Sequence, residues 1–284
     1  MKLALFGINF GALATPEASA KAARTAEAAG YESLWAGEHV VLPEPRTPDS
    51  PLPSRFPMLD PVVAFGHLSA VTSKVRLGTG IIILPQRNPV VLAKELASLD
   101  VLSSGRLIFG VGVGYLKPEF DAIGAVFAER GARTDEYMAA IKALWTMEQP
   151  AFSGRFVNFA GIDAQPRPVQ RPHPPIVTGG WTGAAFARAV QHANGWYGYN
   201  MDVETVAKHI AALRAVAART ERPAALGNLE ISVTPPRATV DLDMAQRYHD
   251  LGVDRLILQY TQRDADGIVG EIEQNMERLR PALA

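Results

Sequence analysis

Two short stretches of this chain combine residue types that can do chemistry. Glu38-His39 directly follows the apolar run at residues 33–37. An imidazole titrates near neutrality, so a histidine just past a strand end is a candidate proton donor or acceptor. Neighbours in an extended segment point to opposite faces, so one of the pair lines a pocket and the other does not. The remaining histidines, His67, His173, His192, His209 and His249, fall on predicted helices or in a proline-rich segment, where surface or packing roles are the simpler reading. The second stretch is Gly179-Gly180-Trp181-Thr182-Gly183, which follows a short apolar run and opens a helix. Free amides and the positive end of the helix dipole at such a turn can face a phosphate. The same turn, capped by Thr182, is also common without any ligand.

Other chemistries are excluded. Gly110-Val111-Gly112-Val113-Gly114 lacks the G-x-G-x-x-G spacing of a dinucleotide turn. No histidine pair at helical spacing or carboxylate cluster marks a metal site, and no G-x-S-x-G marks a nucleophile elbow. With no cysteine there is no disulfide, thiolate catalysis or cysteine-ligated metal, which suits a cytoplasmic enzyme. A net charge of -1 gives no reason to expect nucleic acid or a membrane surface as partner. No apolar run approaches the roughly 20 residues that span a bilayer, and the opening MKLALFG is too short for a signal segment.

The elements that must position these residues alternate. Residues 75–84 read as a strand, Asn88-Pro89 as a helix cap with proline at the first helical position, and Leu92, Leu96, Leu99 and Leu102 as one apolar stripe. Ser103-Ser104-Gly105 stops that helix, and residues 107–113 are a strand of the kind buried on both faces. The pattern recurs with strands at 3–8, 33–37, 176–178, 195–199, 229–233 and 255–259. Eight strands alternating with helices give a single domain over residues 1–284, a (β/α)8 TIM barrel; a doubly wound open sheet is the alternative. Insertions follow strands two and four. The first, at 41–59, has six prolines between Pro43 and Pro57 and carries Arg46, Arg55 and Phe56, as a lid or pocket wall would. The second, at 148–175, holds a small hairpin and five prolines between Gln165 and Pro175. The barrel's functional face lies at the C-terminal strand ends: Asn9, Glu38-His39, Thr79-Gly80-Ile81, Val113-Gly114-Tyr115, Gly179-Gly180-Trp181, Tyr199, Thr234 and Gln259-Tyr260.

At this point the chain resembles a known family, the luciferase-like monooxygenases and flavin or deazaflavin oxidoreductases. The carriers are KLALFGINFG, SLWAGEHVVLP, VRLGTGIIILPQRNPVVLAKELASLDVLSSGRLIFGVGVGY, PRPVQRPHPPIVTGG and LGVDRLILQY, which span nearly the whole length. The second and third most resemble members that use coenzyme F420 rather than flavin mononucleotide (FMN). The resemblance implies a tricyclic ring bound at the C-terminal face, backed by a bulge with a cis peptide at Gly80-Ile81 beside Thr79. It makes His39 the catalytic proton carrier and Glu38 a coenzyme contact, and puts the phosphate on Gly179, Gly180, Trp181 and Thr182. A homodimer acting on a small organic molecule is also implied. Val113 stands where some deazaflavin-dependent relatives carry a glutamate, and Pro43 where they carry a tryptophan. Both departures argue against a sugar-phosphate substrate and against a proton scheme shared between His39 and a glutamate. The rival readings are an FMN-dependent monooxygenase using reduced flavin and dioxygen, and a barrel that binds a coenzyme without turnover.

Overall fold

The computed structural model describes residues 1–283. In chain order the first half contains β1 (Lys2–Phe6), α1 (Pro16–Ala29), β2 (Ser33–Ala36), α2 (Pro61–Val71), β3 (Arg76–Thr79), β4 (Ile82–Ile83), α3 (Pro89–Leu102), β5 (Leu107–Gly112), α4 (Lys117–Ala122) and α5 (Arg130–Thr146). The second half contains β6 (Phe152–Ser153), β7 (Asn158–Phe159), β8 (Ile176–Gly179), α6 (Gly183–His192), β9 (Gly195–Tyr199), α7 (Val203–Ala217), β10 (Glu230–Thr234), α8 (Leu242–Asp250), β11 (Arg255–Gln259) and α9 (Ala265–Leu279). Side-chain caps start most of these helices: Thr15, Asp60, Asn88, Thr182, Asp202, Asp241 and Asp264 each accept an amide of the first turn. The first three precede a proline, whose missing amide costs nothing there.

The sheet closes. From β1 the parallel pairing runs through β2, β3, β5, β8, β9, β10 and β11 and returns to β1, which makes a (β/α)8 barrel. Alternation along each strand divides the apolar residues into two sets. Leu3, Leu5, Leu34, Leu77, Phe109 and Leu256 belong to the larger core, packed with helix residues such as Leu92, Leu96 and Ile141. Ala4, Phe6, Trp35, Ile108, Val177, Tyr197 and Ile257 form the smaller core inside the barrel, with Phe10 and Ile81 packed against it.

The N-terminal end of the barrel is closed by charge. Arg255, fully buried, donates from Nε and Nη2 to Glu32 at 2.8 and 3.0 Å and from Nη1 to Ser232 Oγ at 2.9 Å. Glu230 takes a further bond from the same guanidinium, which lies 5.6 Å beneath the Trp35 ring.

The expected continuous strand at residues 75–84 is broken at its centre. The last pair of β3 is Gly78 with Ile108 and the first of β4 is Ile82 with Val111, so four steps on one strand oppose three on the other. That is a bulge. The Thr79 hydroxyl bridges it, donating to the Gly110 carbonyl at 2.8 Å and accepting the Gly110 amide at 2.7 Å. The Gly80–Ile81 peptide inside the bulge is cis.

Both long loops are tied to the frame. Residues 41–59 return over the end of β1, where Asn9 Nδ2 donates to the carbonyls of Gly37 (2.9 Å) and Leu59 (2.6 Å) and the Leu59 amide donates back to Asn9. In the segment after β7, the amides of Val169 and Gln170 donate to the Asp100 carboxylate at 2.8 and 3.0 Å, fastening it to α3. No helix among the described residues is long and apolar enough to cross a membrane.

Candidate active site

His39 leaves the end of β2 and is held from two sides. Its Nδ1 is 3.2 Å from Oε2 of Glu119, a fully buried carboxylate on α4, and its Nε2 is 3.5 Å from the Tyr115 hydroxyl, the limit of a hydrogen bond. The other Glu119 oxygen accepts the Val40 amide at 2.5 Å, so one carboxylate orients both the ring and the backbone that carries it. A carboxylate only accepts, so Nδ1 bears the hydrogen and Nε2 is the nitrogen turned to the mouth. Burial, with Tyr199, Glu119 and Asp49 adding negative charge, pushes the Tyr115 hydroxyl up to about 12, so it stays a neutral phenol at physiological pH.

The departure at Val113 therefore does not leave His39 without a glutamate beside it. Val113, half-buried just past β5, carries no charge, yet the turn beyond it brings in a glutamate six residues later. The only signal for Glu119 in the sequence is an acidic residue in the first turn of a short helix that begins soon after a strand end.

Glu38 stands elsewhere than the resemblance implied. Its side chain is 2% exposed and its oxygens are spent on the Ile83 amide (2.6 Å) and on Arg87 (Nε at 2.9 Å). Arg87 also pairs with Asp60. Burial pushes the Glu38 carboxyl up, and the Arg87 guanidinium opposes that push. The residue braces β4 and the approach to α3 from behind and does not face the mouth. Thr79 is also fully buried, with its hydroxyl committed to Gly110.

Toward the mouth the barrel presents apolar residues. Phe6 and Ile81 form this floor, and glycines surround them: a Cβ on Gly112 would overlap Ile81 Cδ1, and one on Gly110 would land on the Thr79 carbonyl. A Cβ on Gly179 would lie 3.6 Å from Ile81 Cγ2, so any side chain there would stand over the floor. At the rim, Gly180 (φ +109°) turns the chain into α6, Thr182 Oγ1 accepts the Ala185 amide at 3.2 Å, and the Gly183 and Ala184 amides donate to no acceptor among the described residues. Trp181, 60% exposed, lies beside them. Gly110 and Gly112 let the Thr79 carbonyl and the Ile81 side chain pack in, and a ring-shaped group with a phosphate-bearing tail fits beside them: apolar surface and the small Gly179 for the ring, free amides for the phosphate. No group of three or more potential ligand side chains that could hold a metal occurs among the described residues. A separate cavity of about 430 Å³, lined by Arg87, Val126, Tyr137 and Phe156 among others, includes none of these mouth residues.

A closed barrel with a histidine and an apolar floor at the C-terminal strand ends has the layout of a barrel enzyme site. Residues 7–282 match the model of the luciferase-like monooxygenase family, and the chain belongs to that family of oxidoreductases. An uncharacterised protein of Mycobacterium tuberculosis is 34% identical over 271 residues, covering 92% of this chain and 93% of its own. The FMNH2-dependent dimethylsulfone monooxygenase of Pseudomonas putida is 33% identical over 169 residues, 58% of this chain and 46% of that one. Among solved structures, an F420-dependent secondary alcohol dehydrogenase in complex with an F420-acetone adduct superposes with a TM-score of 0.81 at 16% identity, over 100% of this chain and 99% of that one. The monooxygenase RslO1 from Streptomyces bottropensis superposes with a TM-score of 0.79 at 21% identity over the full length of both. At these identities the superpositions speak for the fold alone.

Proposed function

We propose that this protein is an F420-dependent oxidoreductase that moves a hydride between the deazaflavin and a small organic substrate, with His39 handling the accompanying proton. The observation that carries the reading is a histidine fixed by a buried glutamate at the edge of an apolar surface formed by Phe6 and Ile81. When bound, the coenzyme supplies or accepts the hydride. Everything else is the work of this chain. Phe6, Gly80 and Ile81 back the ring; Gly179, Gly180 and the amides at the start of α6 hold the phosphate, with Trp181 covering it. Thr79 and Glu38 keep the floor in place from behind. Glu119 sets the His39 ring so that Nε2 meets the substrate: unprotonated, that atom takes the proton released by an alcohol; protonated, it returns one to a carbonyl oxygen as hydride reaches the carbon. Tyr115 stays neutral and can hydrogen-bond the same oxygen.

Titration of the purified protein with F420 and with FMN tests this. Tight deazaflavin binding with weak flavin binding is expected; tight flavin binding with no detectable F420 affinity overturns it. The second reading, an FMN-dependent monooxygenase, draws on the likeness to the Pseudomonas putida enzyme. Substrate-dependent oxygen uptake with reduced flavin would favour that reading, because a monooxygenase consumes dioxygen and hydride transfer to or from a deazaflavin does not.

A further inference from the structure

The space above the floor is walled by aromatic rings. Phe56 packs edge-on against Phe10 at 6.2 Å, Phe10 against Phe6 at 5.5 Å, and Phe6 against Tyr199 at 5.1 Å, which gives a continuous run from the residue 41–59 loop to the end of β9. Tyr115, 55% exposed, enters from the end of β5 with its ring 5.9 Å from that of His39.

Most of the charged groups around this wall are already engaged. Arg46 donates to the Ser50 carbonyl at 3.1 and 3.0 Å, and Arg237 to the Tyr260 carbonyl at 2.9 Å. Glu119 is taken by His39 and Val40, and Glu38 by Arg87 and Ile83. Tyr260 spends its hydroxyl on the carbonyls of Gly7 (3.1 Å) and Phe10 (3.2 Å). The carboxylates of Glu119 and Asp49 lie near enough to the Tyr115 hydroxyl to disfavour a second negative charge there. An anionic substrate would lose its hydration here and gain no converging donors in return. Arg55, exposed next to Phe56, is the one cation of the 41–59 loop whose guanidinium has no bonded partner among the described residues.

We propose, resting on the coenzyme reading above, that this site takes an uncharged substrate with an apolar, ring-sized body, such as an aromatic or alicyclic ketone or alcohol, and discriminates against phosphates and carboxylates. Phe10, Phe56, Tyr115 and Tyr199 determine that specificity. Such a molecule lies with its body against the wall and its oxygen within hydrogen-bonding reach of both His39 Nε2 and the Tyr115 hydroxyl.

The test measures binding, by saturation-transfer NMR and calorimetry, on the full chain with and without F420. The probes are acetophenone, 4-acetylbenzoate and glucose 6-phosphate. Acetophenone is expected to bind at least tenfold more tightly than either anion, and Phe56→Ala to weaken it about tenfold or more while F420 affinity stays within twofold. Phe10→Leu, which keeps the interior filled, is expected to weaken it less. Either anion binding as tightly as acetophenone overturns the proposal, and loss of that anion's binding in Arg55→Ala would identify the cation responsible. Unchanged acetophenone affinity in Phe56→Ala, with native thermal unfolding, also overturns it. Failure of F420 to bind, with acetophenone still bound in a Phe56-dependent way, would sink the coenzyme reading and leave the substrate class standing.

Discussion

Glu119 Oε2 lies 3.2 Å from Nδ1 of His39, across 80 residues of sequence. The contact decides which nitrogen of the imidazole faces the mouth. In the neutral ring Nδ1 should carry the hydrogen, a state that nitrogen-15 NMR of labelled histidine reads directly. Glu119→Gln replaces the pure acceptor with a group that can donate, so the opposite tautomer is expected to grow in. A His39 that stays in the Nε2–H form in the native protein would contradict the geometry.

Turnover should follow the same pair. His39→Ala is expected to lower kcat by about 10²–10⁴-fold, the usual worth of a positioned acid–base group. Glu119→Gln should cost less, with F420 affinity unchanged in both. A His39→Ala enzyme as fast as the native one would remove the proton role altogether.

The Glu38–Arg87 pair makes a prediction about stability and pH. Arg87→Leu strands a carboxylate in a nearly solvent-free site, and breaking a buried pair in this way costs about 3–5 kcal/mol. Burial already pushes Glu38 up, and loss of the opposing guanidinium raises it further. The folded variant then holds a proton that the unfolded chain has released, so its stability falls as pH rises above the ordinary carboxylate range and recovers as pH is lowered toward it. Urea unfolding of native and variant protein between pH 5 and pH 8 measures this: the gap between them should narrow on acidification. A gap that widens would reverse the sign.

Gly112→Ala sets a methyl group on Ile81. Overpacking of this kind costs about 1–3 kcal/mol, and here it also lifts the floor. Both the thermal midpoint and F420 affinity are expected to fall. Unaltered coenzyme binding in a destabilised variant would mean that the floor is not where the ring lies.

Trp181 offers a spectroscopic check. It is 60% exposed, whereas Trp35 and Trp196 are fully buried and Trp145 is 3% exposed. Quenching of tryptophan fluorescence by iodide therefore reports on Trp181. Coenzyme held at the start of α6 should protect it; iodide access that is the same with and without F420 would place the phosphate elsewhere.

Much of the frame was legible because it follows local rules. Caps such as Asp60 and Asn88 with prolines after them fixed helix starts, and the ends of β9 and β11 coincide with the apolar runs. The site was legible only where chemistry and local position coincide, as at His39. Alternation said that one of Glu38 and His39 turns away from the mouth, but not that Arg87, 49 residues on, would claim the carboxylate. The break in the third strand depends on a hydroxyl of Thr79 reaching across to Gly110, and Glu119 joins the site only once α4 folds back over the strand ends. Both are relationships between elements distant in sequence that no run of neighbours encodes.

The Arg255 network at the other end of the barrel has a kinetic consequence. With that end filled by Arg255, Glu32, Glu230 and Ser232, a group bound as proposed at the C-terminal strand ends would come and go through the mouth beside His39. A coenzyme ring resting on the floor, as proposed above, would enter before any molecule that lies over it and leave only after that molecule has gone. On the proposed reading, traffic would be last in, first out, so accumulating product would trap the spent coenzyme beneath it and slow its exchange.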